Sequence, residues 1–455
     1  MHNEQLTLFT LPVILVYILL IVFIYAIVGR TIYAKDKKLY HLLIFGLLIK
    51  ILGGIAFAML YEFHYRWAGD TFYYFRNSCY LAKTFWNSPL SYFRILFDTV
   101  DASNIGMIDT TYYNPLSRLN NASGIYSMHR FTSIFAIAGF DNYYLISILM
   151  NGFLYLLNWK VFRFVDKMFP NHTKITFIAF MCVPSVILFS SGIMKDAYVY
   201  SFSGMMLLYL YRLFFDRQIG VGNIIKLLFS VYVVYSLKPY VLFALFLAFF
   251  VWFGFTYLYK VKNKVLRVII LPIVMVVMSV VALYGMTTLG NMLGGKYASV
   301  DAMVESASLS QYDLKQDYYQ GQSFDIGGYD DVNGAVSVAP LAIIAGLYRP
   351  FLWEVRSAAM LFSGVENFVL LLISIYVILV VGLKKTYQLI NENLFFLYCL
   401  IFTLLLACGI GLSTSNFGAL VRFRIPFVPY FFFILLYISN VYRKSKNMPL
   451  VKEDH

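Results

Sequence analysis

The sequence predicts an all-α polytopic membrane protein with about eleven transmembrane helices. Of its 455 residues, 60% are hydrophobic and 19% are aromatic, and the mean hydropathy is +0.72. Such values exclude an ordinary soluble domain. Long apolar runs recur along the chain, each close to the roughly 20 residues that a helix needs to cross a hydrocarbon core of about 30 Å.

The predicted spans follow one another along the whole chain, so residues 1–455 are expected to form a single integral membrane domain. The first run is too long for a signal peptide and lacks a cleavage site, so we expect it to be retained. The spans lie near 10–29, 42–61, 143–162, 174–191, 197–214, 222–237, 240–258, 267–287, 366–383, 394–412 and 425–442.

Lys and Arg residues cluster in alternate connections between these spans, as they do in cytoplasmic loops. With the N-terminus outside and the C-terminus in the cytoplasm, all six basic segments fall on the inner side. The net charge of +13 therefore reports topology, and the scattered basic residues predict no nucleic-acid partner. The basic segments hold Arg30, Lys35, Lys37 and Lys38; Lys160, Arg163, Lys167 and Lys174; Arg212 and Arg217; Lys260, Lys262, Lys264 and Arg267; Lys384 and Lys385; and Arg443, Lys444, Lys446 and Lys452.

Two outer segments are long, at residues 62–142 and 290–365, and loops of such length are usually functional. Mixed apolar and basic stretches at 91–97 and 128–135 are expected to form amphipathic helices in the outer interface. Residues 301–333 are acidic and rich in Gly, Ser and Gln, which is typical of a mobile lid.

The first candidate site follows the second span, in the sequence Trp67-Ala-Gly-Asp-Thr-Phe-Tyr-Tyr74. Asp70, beside a glycine and among aromatic residues, is a candidate general base toward a hydroxyl, because partial desolvation makes a carboxylate more basic. Tyr73, Tyr74 and Trp67 are suited to stack on a sugar or to anchor at the level of the lipid headgroups. The structural alternative is that Asp70 caps a short interfacial helix.

Two lysines lie at later outer turns. Lys195 and Asp196 begin the fifth span, where a lysine is electrostatically unfavourable unless an anion is near. Lys238 lies at the turn before Pro239. Together they predict a phosphate site, and the alternatives are a snorkelling Lys195 beside a capping Asp196 and an interfacial Lys238.

Basic residues recur at two further outer positions. Arg349 precedes Trp353 and Glu354, which makes Arg349 a candidate phosphate ligand, Trp353 a candidate cover for a sugar or prenyl chain and Glu354 a second candidate base. An Arg349–Glu354 ion pair that holds the loop is the alternative. Arg422 and Arg424 oppose the charge bias of the outer side, which favours a phosphate or diphosphate ligand, with ordinary anionic lipid as the alternative.

Lys50 is the deepest charged residue of the predicted spans. We expect its side chain to snorkel toward the inner headgroups, whereas an orientation into the bundle would favour transport.

The chain resembles the GT-C class of polytopic glycosyltransferases and the related bacterial oligosaccharide polymerases and ligases in three features. These are the many-helix layout, the large first outer loop with Gly69-Asp70 and Tyr73-Tyr74, and the Arg422-Phe-Arg-Ile-Pro426 sequence before the last span. In that class an acidic residue of the first outer loop acts as base or helps to hold a metal, which the resemblance assigns to Asp70. The usual acidic residue follows the first helix, whereas Asp70 follows the second, a difference that an additional N-terminal helix would explain.

The resemblance implies glycosyl transfer at the outer face of the bacterial cytoplasmic membrane, in envelope or exopolysaccharide assembly. The donor would be a sugar linked to polyprenyl phosphate or diphosphate, and the acceptor a glycan hydroxyl. Lys195, Lys238, Arg349, Arg422 and Arg424 would stabilise the departing phosphate, with Asp70 or Glu354 as base. Nothing in the sequence demands a metal or another cofactor.

Two other classes of function are open. A lipid or oligosaccharide transporter or flippase would place polar residues near the midplane and often shows inverted repeats with broken helices. A non-catalytic membrane subunit of an envelope assembly machine would need no convergent charges.

Overall fold

The computed structural model describes residues 5–97, 113–117, 123–258, 299–316 and 323–447, and within these ranges the chain is helical without a β-strand. One isolated antiparallel bridge joins Ser323 to Asn416. The predicted span at 267–287 lies outside the described residues.

The chain divides into two compact units, each formed from two stretches of sequence. Unit 1 comprises Met1–Lys167 and Met181–Pro239, and unit 2 comprises Met168–Phe180 and Tyr240–His455. The first helices are α1 (Thr10–Ile32), α2 (Lys37–Met59), α3 (Asp70–Asn87), α4 (Pro89–Phe97), α5 (Ser123–Ala136), α6 (Tyr143–Met168), α7 (Thr173–Met181), α8 (Pro184–Phe189), α9 (Lys195–Phe214) and α10 (Val221–Leu237). The later helices are α11 (Pro239–Leu258), α12 (Val300–Asp313), α13 (Val332–Tyr348), α14 (Ala358–Tyr376), α15 (Leu383–Glu392), α16 (Phe395–Ser413), α17 (Phe417–Phe423) and α18 (Val428–Asn447).

Within the described ranges, six helical segments are long and apolar enough to cross a membrane, which makes the chain a multi-pass membrane protein. A seventh span results if α17 and α18, bent by 72° relative to each other, are taken as one. The count of eleven remains a prediction. The six segments are Thr10–Ile32, Lys37–His64, Tyr143–Met168, Pro239–Leu258, Met360–Val381 and Phe395–Ser413.

Several predicted spans take other forms in the structure. The run at 174–191 is interrupted at Cys182 and Val183, so it forms the short helices α7 and α8. Pro184 explains the interruption, because proline disfavours helical backbone in the residue before it. The helices α10 and α13 are apolar but only 17 residues long.

Glycines allow close helix packing in unit 1. A Cβ at Gly46 would overlap the ring of Tyr155, and a Cβ at Gly54 would overlap the side chains of Asn151 and Ser147. Small residues are typical of helix contacts in membranes, because they let backbones approach closely. Helix α2 is thereby fixed against α6.

The chain between α8 and α9 is not helical, yet its residues 190–194 are buried in unit 1. Lys50 of α2 donates to the carbonyl oxygen of Ser190 and to its Oγ, and Asn151 of α6 donates to the carbonyl oxygen of Ser191 over 2.7 Å. Backbone polar groups away from water need such partners. The expectation that Lys50 snorkels inward is therefore wrong, because its side chain is buried and bonded to this break.

Part of the first long outer segment forms three packed helices, α3, α4 and α5. The stretches 91–97 and 128–135 are helical as expected. The side chains of His129, Thr132 and Ser133 in α5 are fully buried, so one side of α5 packs within unit 1, and its position at the membrane interface remains a prediction.

In unit 2, α13 packs along α16. A Cβ at Gly346 or Gly411 would overlap the backbone of the facing helix, so glycine is required at both contacts. Part of the predicted lid is also ordered by contacts, since the backbone nitrogen of Phe324 donates to the carbonyl oxygen of Ser415 over 2.8 Å. Residues 300–313 of that segment form α12.

Candidate anion-binding site

Asp70 is the first residue of α3, and its side chain is exposed. The N-cap position belongs to Gly69, whose φ of 98° lies in the region that glycine adopts most readily. A carboxylate in the first turn is stabilised by the helix dipole. Asp70 is thus held at a helix N-terminus but does not occupy the capping position.

Lys195 is the first residue of α9 and is partly exposed. Its Nζ lies 5.8 Å from the ring centroid of Tyr74 in α3. Gly124 of α5 leaves the space for this ammonium group, because a Cβ there would lie only 3.0 Å from Nζ. Three helices therefore position Lys195, and Gly124 is a contributor that the sequence analysis missed.

Lys238 and Asp196 form an ion pair with 2.5 Å between Nζ and Oδ1. Their side chains are only 7% and 3% exposed. Asp196 thereby balances the charge of Lys238. Among the described residues, no carboxylate forms a comparable salt bridge with Lys195. Of the two lysines, Lys195 is therefore better placed to bind an external anion.

The charges of this cluster affect one another. Burial, and after it the positive charge of Lys238, lower the pKa of Lys195 to about 8, whereas Asp70 and Asp196 oppose the shift. Because the charges of Lys238, Asp70 and Asp196 all affect this pKa, all three residues lie near Lys195. A bound anion would stabilise the ammonium form. We call Asp70, Tyr74, Lys195, Asp196 and Lys238 the lysine cluster.

His129 is a further member of this region that sequence reasoning did not identify. Its ring is fully buried, and Nδ1 lies 3.1 Å from the hydroxyl of Tyr113. Its Nε2 has no hydrogen-bond partner among the described residues. Burial and then the charge of Lys195 lower the pKa of His129 to about 3, so the ring is neutral at physiological pH. A single histidine in an apolar and basic stretch gives no sequence signal of such a position.

Tyr73 lies next to this histidine, with 5.5 Å between the ring centroids of Tyr73 and His129. Tyr74 lies at 6.0 Å from the same ring. Tyr74, a member of the lysine cluster, is buried, and Tyr73 lies beside the cluster and is half-buried.

The second predicted group lies in unit 2. Arg349 Nε is 3.3 Å from Glu354 Oε1, while Glu354 Oε2 accepts from the backbone nitrogen of Phe351 over 2.8 Å. Trp353 is exposed and stacks on Phe351 with 4.8 Å between centroids. The ion pair that the sequence left open as an alternative is thus present, and together with the hydrogen bond from Phe351 it engages both oxygens of Glu354.

The two arginines before the last helix differ in their surroundings. Arg424 is completely buried, and its Nη2 lies 3.2 Å from Glu366 Oε1. Arg422 is partly exposed in the last turn of α17. Arg424 is therefore committed to an internal ion pair in unit 2, whereas Arg422 is the more accessible cation.

The structure brings Asp70, Tyr74, Lys195 and Lys238 together in unit 1. It places Arg349 with Glu354, and Arg424 with Glu366, in unit 2. One cavity shared by all the basic residues remains a prediction. Within the described ranges, no group of three His, Cys, Asp or Glu side chains has the arrangement of a metal site.

Comparison with known proteins gives no assignment: no protein-family model, no curated protein and no solved structure matches this chain.

Proposed function

We propose that this protein transfers a sugar from a polyprenyl-phosphate- or diphosphate-linked donor to a glycan hydroxyl at the outer face of the bacterial cytoplasmic membrane. The observation that carries the proposal is the lysine cluster, in which an accessible carboxylate, an ammonium group with no carboxylate salt bridge among the described residues and a helix N-terminus converge. These are the groups that an acceptor hydroxyl and a leaving phosphate require.

In the proposed reaction, Asp70 takes the proton of the acceptor hydroxyl as its oxygen attacks the anomeric carbon of the donor. The bond between that carbon and the phosphate oxygen breaks, and its electron pair leaves with the phosphate. Lys195 and the N-terminal amides of α9 stabilise the negative charge that develops. The pair of Lys238 and Asp196 fixes the start of α9 against the end of α10, because each residue lies at one of these helix ends.

The proposal is tested by replacing Asp70 in the source cells and measuring both the finished glycan and the lipid-linked sugar pool. Asp70→Asn preserves shape but removes the base, which commonly costs about 10²- to 10⁴-fold in rate. We expect the glycan to fall and the lipid-linked donor to accumulate in the outer leaflet, where membrane-impermeant periodate oxidises it. Asp301→Asn is the matched control, because Asp301 is also an exposed acid in the first turn of a helix. Normal glycan production by Asp70→Asn would exclude the role of Asp70 as base.

A second candidate function, transport of a lipid-linked saccharide, is favoured by the break between α8 and α9. A buried lysine bonded to irregular backbone between two helices is a feature of transporter binding sites. The same experiment separates the two functions. Loss of transport would leave the donor in the inner leaflet, protected from periodate in intact cells, and Lys50→Met would then have a stronger effect than Asp70→Asn.

A further inference from the structure

A pocket of about 320 Å³ opens beside the lysine cluster, on α3 and the turn before it. Its volume is at the lower end of the range for small-ligand sites. Four aromatic rings and two polar side chains line it: Trp67, Phe72, Tyr73, Tyr80, Arg76 and Asn77. Of this group, the sequence pointed only to Tyr73 and Trp67 as site residues.

The pocket and the candidate base share one face of α3. Asp70, Tyr73, Asn77 and Tyr80 follow one another at intervals of three or four residues, and such residues are neighbours on a helix surface. The lining reaches Gly69, the neighbour of Asp70, so a ligand that fills the pocket would approach Asp70 along α3. This is the geometry expected of a molecule whose hydroxyl is to be deprotonated by Asp70.

The backbone at the edge of the pocket is strained. Arg66 and Trp67 have φ values of 47° and 69°, which non-glycine residues rarely adopt. The strained turn places the ring of Trp67 at 4.3 Å from that of Phe72, between centroids. Backbone strain of this kind clusters at binding and catalytic sites, where the fold holds a side chain in a required position.

The lining also indicates the charge of the ligand. Arg76 is exposed and, among the described residues, forms no ion pair with a carboxylate. A guanidinium group binds carboxylate or phosphate through two parallel hydrogen bonds, while aromatic faces pack on the C–H faces of a sugar ring. The side chain of Asn77 is buried and donates to the carbonyl oxygen of Tyr73 over 2.9 Å, which keeps the amide beside the pocket.

We propose that this pocket binds the acceptor and that the acceptor is an anionic sugar, whose acidic group pairs with Arg76 and whose ring stacks on the aromatic lining. The assignment of the ligand as acceptor rests on the proposed glycosyl transfer, whereas the binding of an anionic sugar can be measured on its own.

The test is a titration of the purified, detergent-solubilised protein with glucuronate, glucose 6-phosphate and glucose, followed by tryptophan fluorescence. We expect saturable quenching by an anionic sugar, at least ten-fold weaker binding of glucose, and loss of the signal in Trp67→Phe. Arg76→Gln should weaken binding of the anionic sugar at least ten-fold and leave glucose unchanged. Arg94→Gln is the matched control, because Arg94 is exposed on the neighbouring helix α4 and does not line the pocket.

The outcomes separate this proposal from the proposed function. If glucuronate binds more tightly, the recognised group is a carboxylate. If glucose 6-phosphate binds more tightly, the recognised group is a phosphate. Equal binding of glucose, or unchanged binding by Arg76→Gln, would overturn the anionic-sugar site. Asp70→Asn should retain sugar binding but lose transfer in cells. If it retains both, the pocket stands and the glycosyl transfer proposal fails.

Discussion

Lys238 and Asp196 form a buried ion pair that joins the end of α10 to the first turn of α9. Removal of one partner leaves the other charge buried without compensation, which typically costs about 3–5 kcal/mol. We therefore expect Lys238→Met and Asp196→Asn each to lower the thermal unfolding temperature strongly in detergent. The double variant should recover a large part of this loss. Lys226→Met is the control, since Lys226 is exposed on the same helix α10. Additive losses in the double variant would contradict the pairing.

Arg424 and Arg422 should differ in how much they contribute to the stability of unit 2. Arg424→Met leaves Glu366 buried without its charged partner, so it should destabilise unit 2 by about 3–5 kcal/mol. Arg422→Met, at a partly exposed position, should change stability by less than about 1 kcal/mol. Chemical denaturation of the purified variants distinguishes the two, and equal losses would show that the burial of Arg424 does not determine its role.

The membrane class and the helical fold could be predicted from the sequence because apolar length and charge alternation are local properties of the chain. The burial of Lys50 and of Arg424 could not, since each depends on a distant partner, Ser190 or Glu366. Similarly, the sequence identifies Lys195 and Lys238 as unusual. It does not reveal that Asp196 pairs with Lys238 and that, in the part of the chain that the structure describes, Lys195 has no carboxylate salt bridge.

The pocket on α3 was missed for a different reason. Arg76 and Asn77 belong to a helix of mixed composition, in which charged and polar residues are normally taken as a solvated face. The turn before that face has positive φ values at Arg66, Trp67 and Gly69, and at the two non-glycine residues such a conformation has no sequence signature.

The orientation in the membrane remains a prediction from charge bias. Reporter fusions after Lys38, Lys264, Lys385 and the C-terminus should all report the cytoplasm. Agreement between the reporters after Lys264 and Lys385 also tests the predicted span at 267–287, because without that span the two positions would lie on opposite sides of the membrane. Periplasmic signals at two of these positions would contradict the sidedness on which the proposed outer-face chemistry depends.

Binding of an anion at Lys195 should depend on pH. Its pKa, lowered from the ordinary value of 10.5 to about 8, means that the ammonium form predominates below pH 8 and is lost as the pH rises through that value. The affinity for a short-chain polyprenyl phosphate should therefore fall between pH 7 and 9. At saturating ligand the pKa of Lys195 should be higher, because bound phosphate favours the charged lysine. Lys195→Met should remove this dependence. An identical pH profile in wild type and Lys195→Met would assign the effect to other groups.

In the proposed site, Lys195 is the cation that binds the phosphate. The most direct measurement is the equilibrium binding of a short-chain polyprenyl phosphate, at pH 7, to purified wild type, Lys195→Met and Lys226→Met. Loss of a charge-assisted hydrogen bond costs about 1.5–3 kcal/mol, so we expect the affinity to fall about 10- to 100-fold in Lys195→Met and to stay unchanged in Lys226→Met. Equal affinities for all three proteins, with Lys195→Met folded as judged by its unfolding temperature, would contradict this role of Lys195.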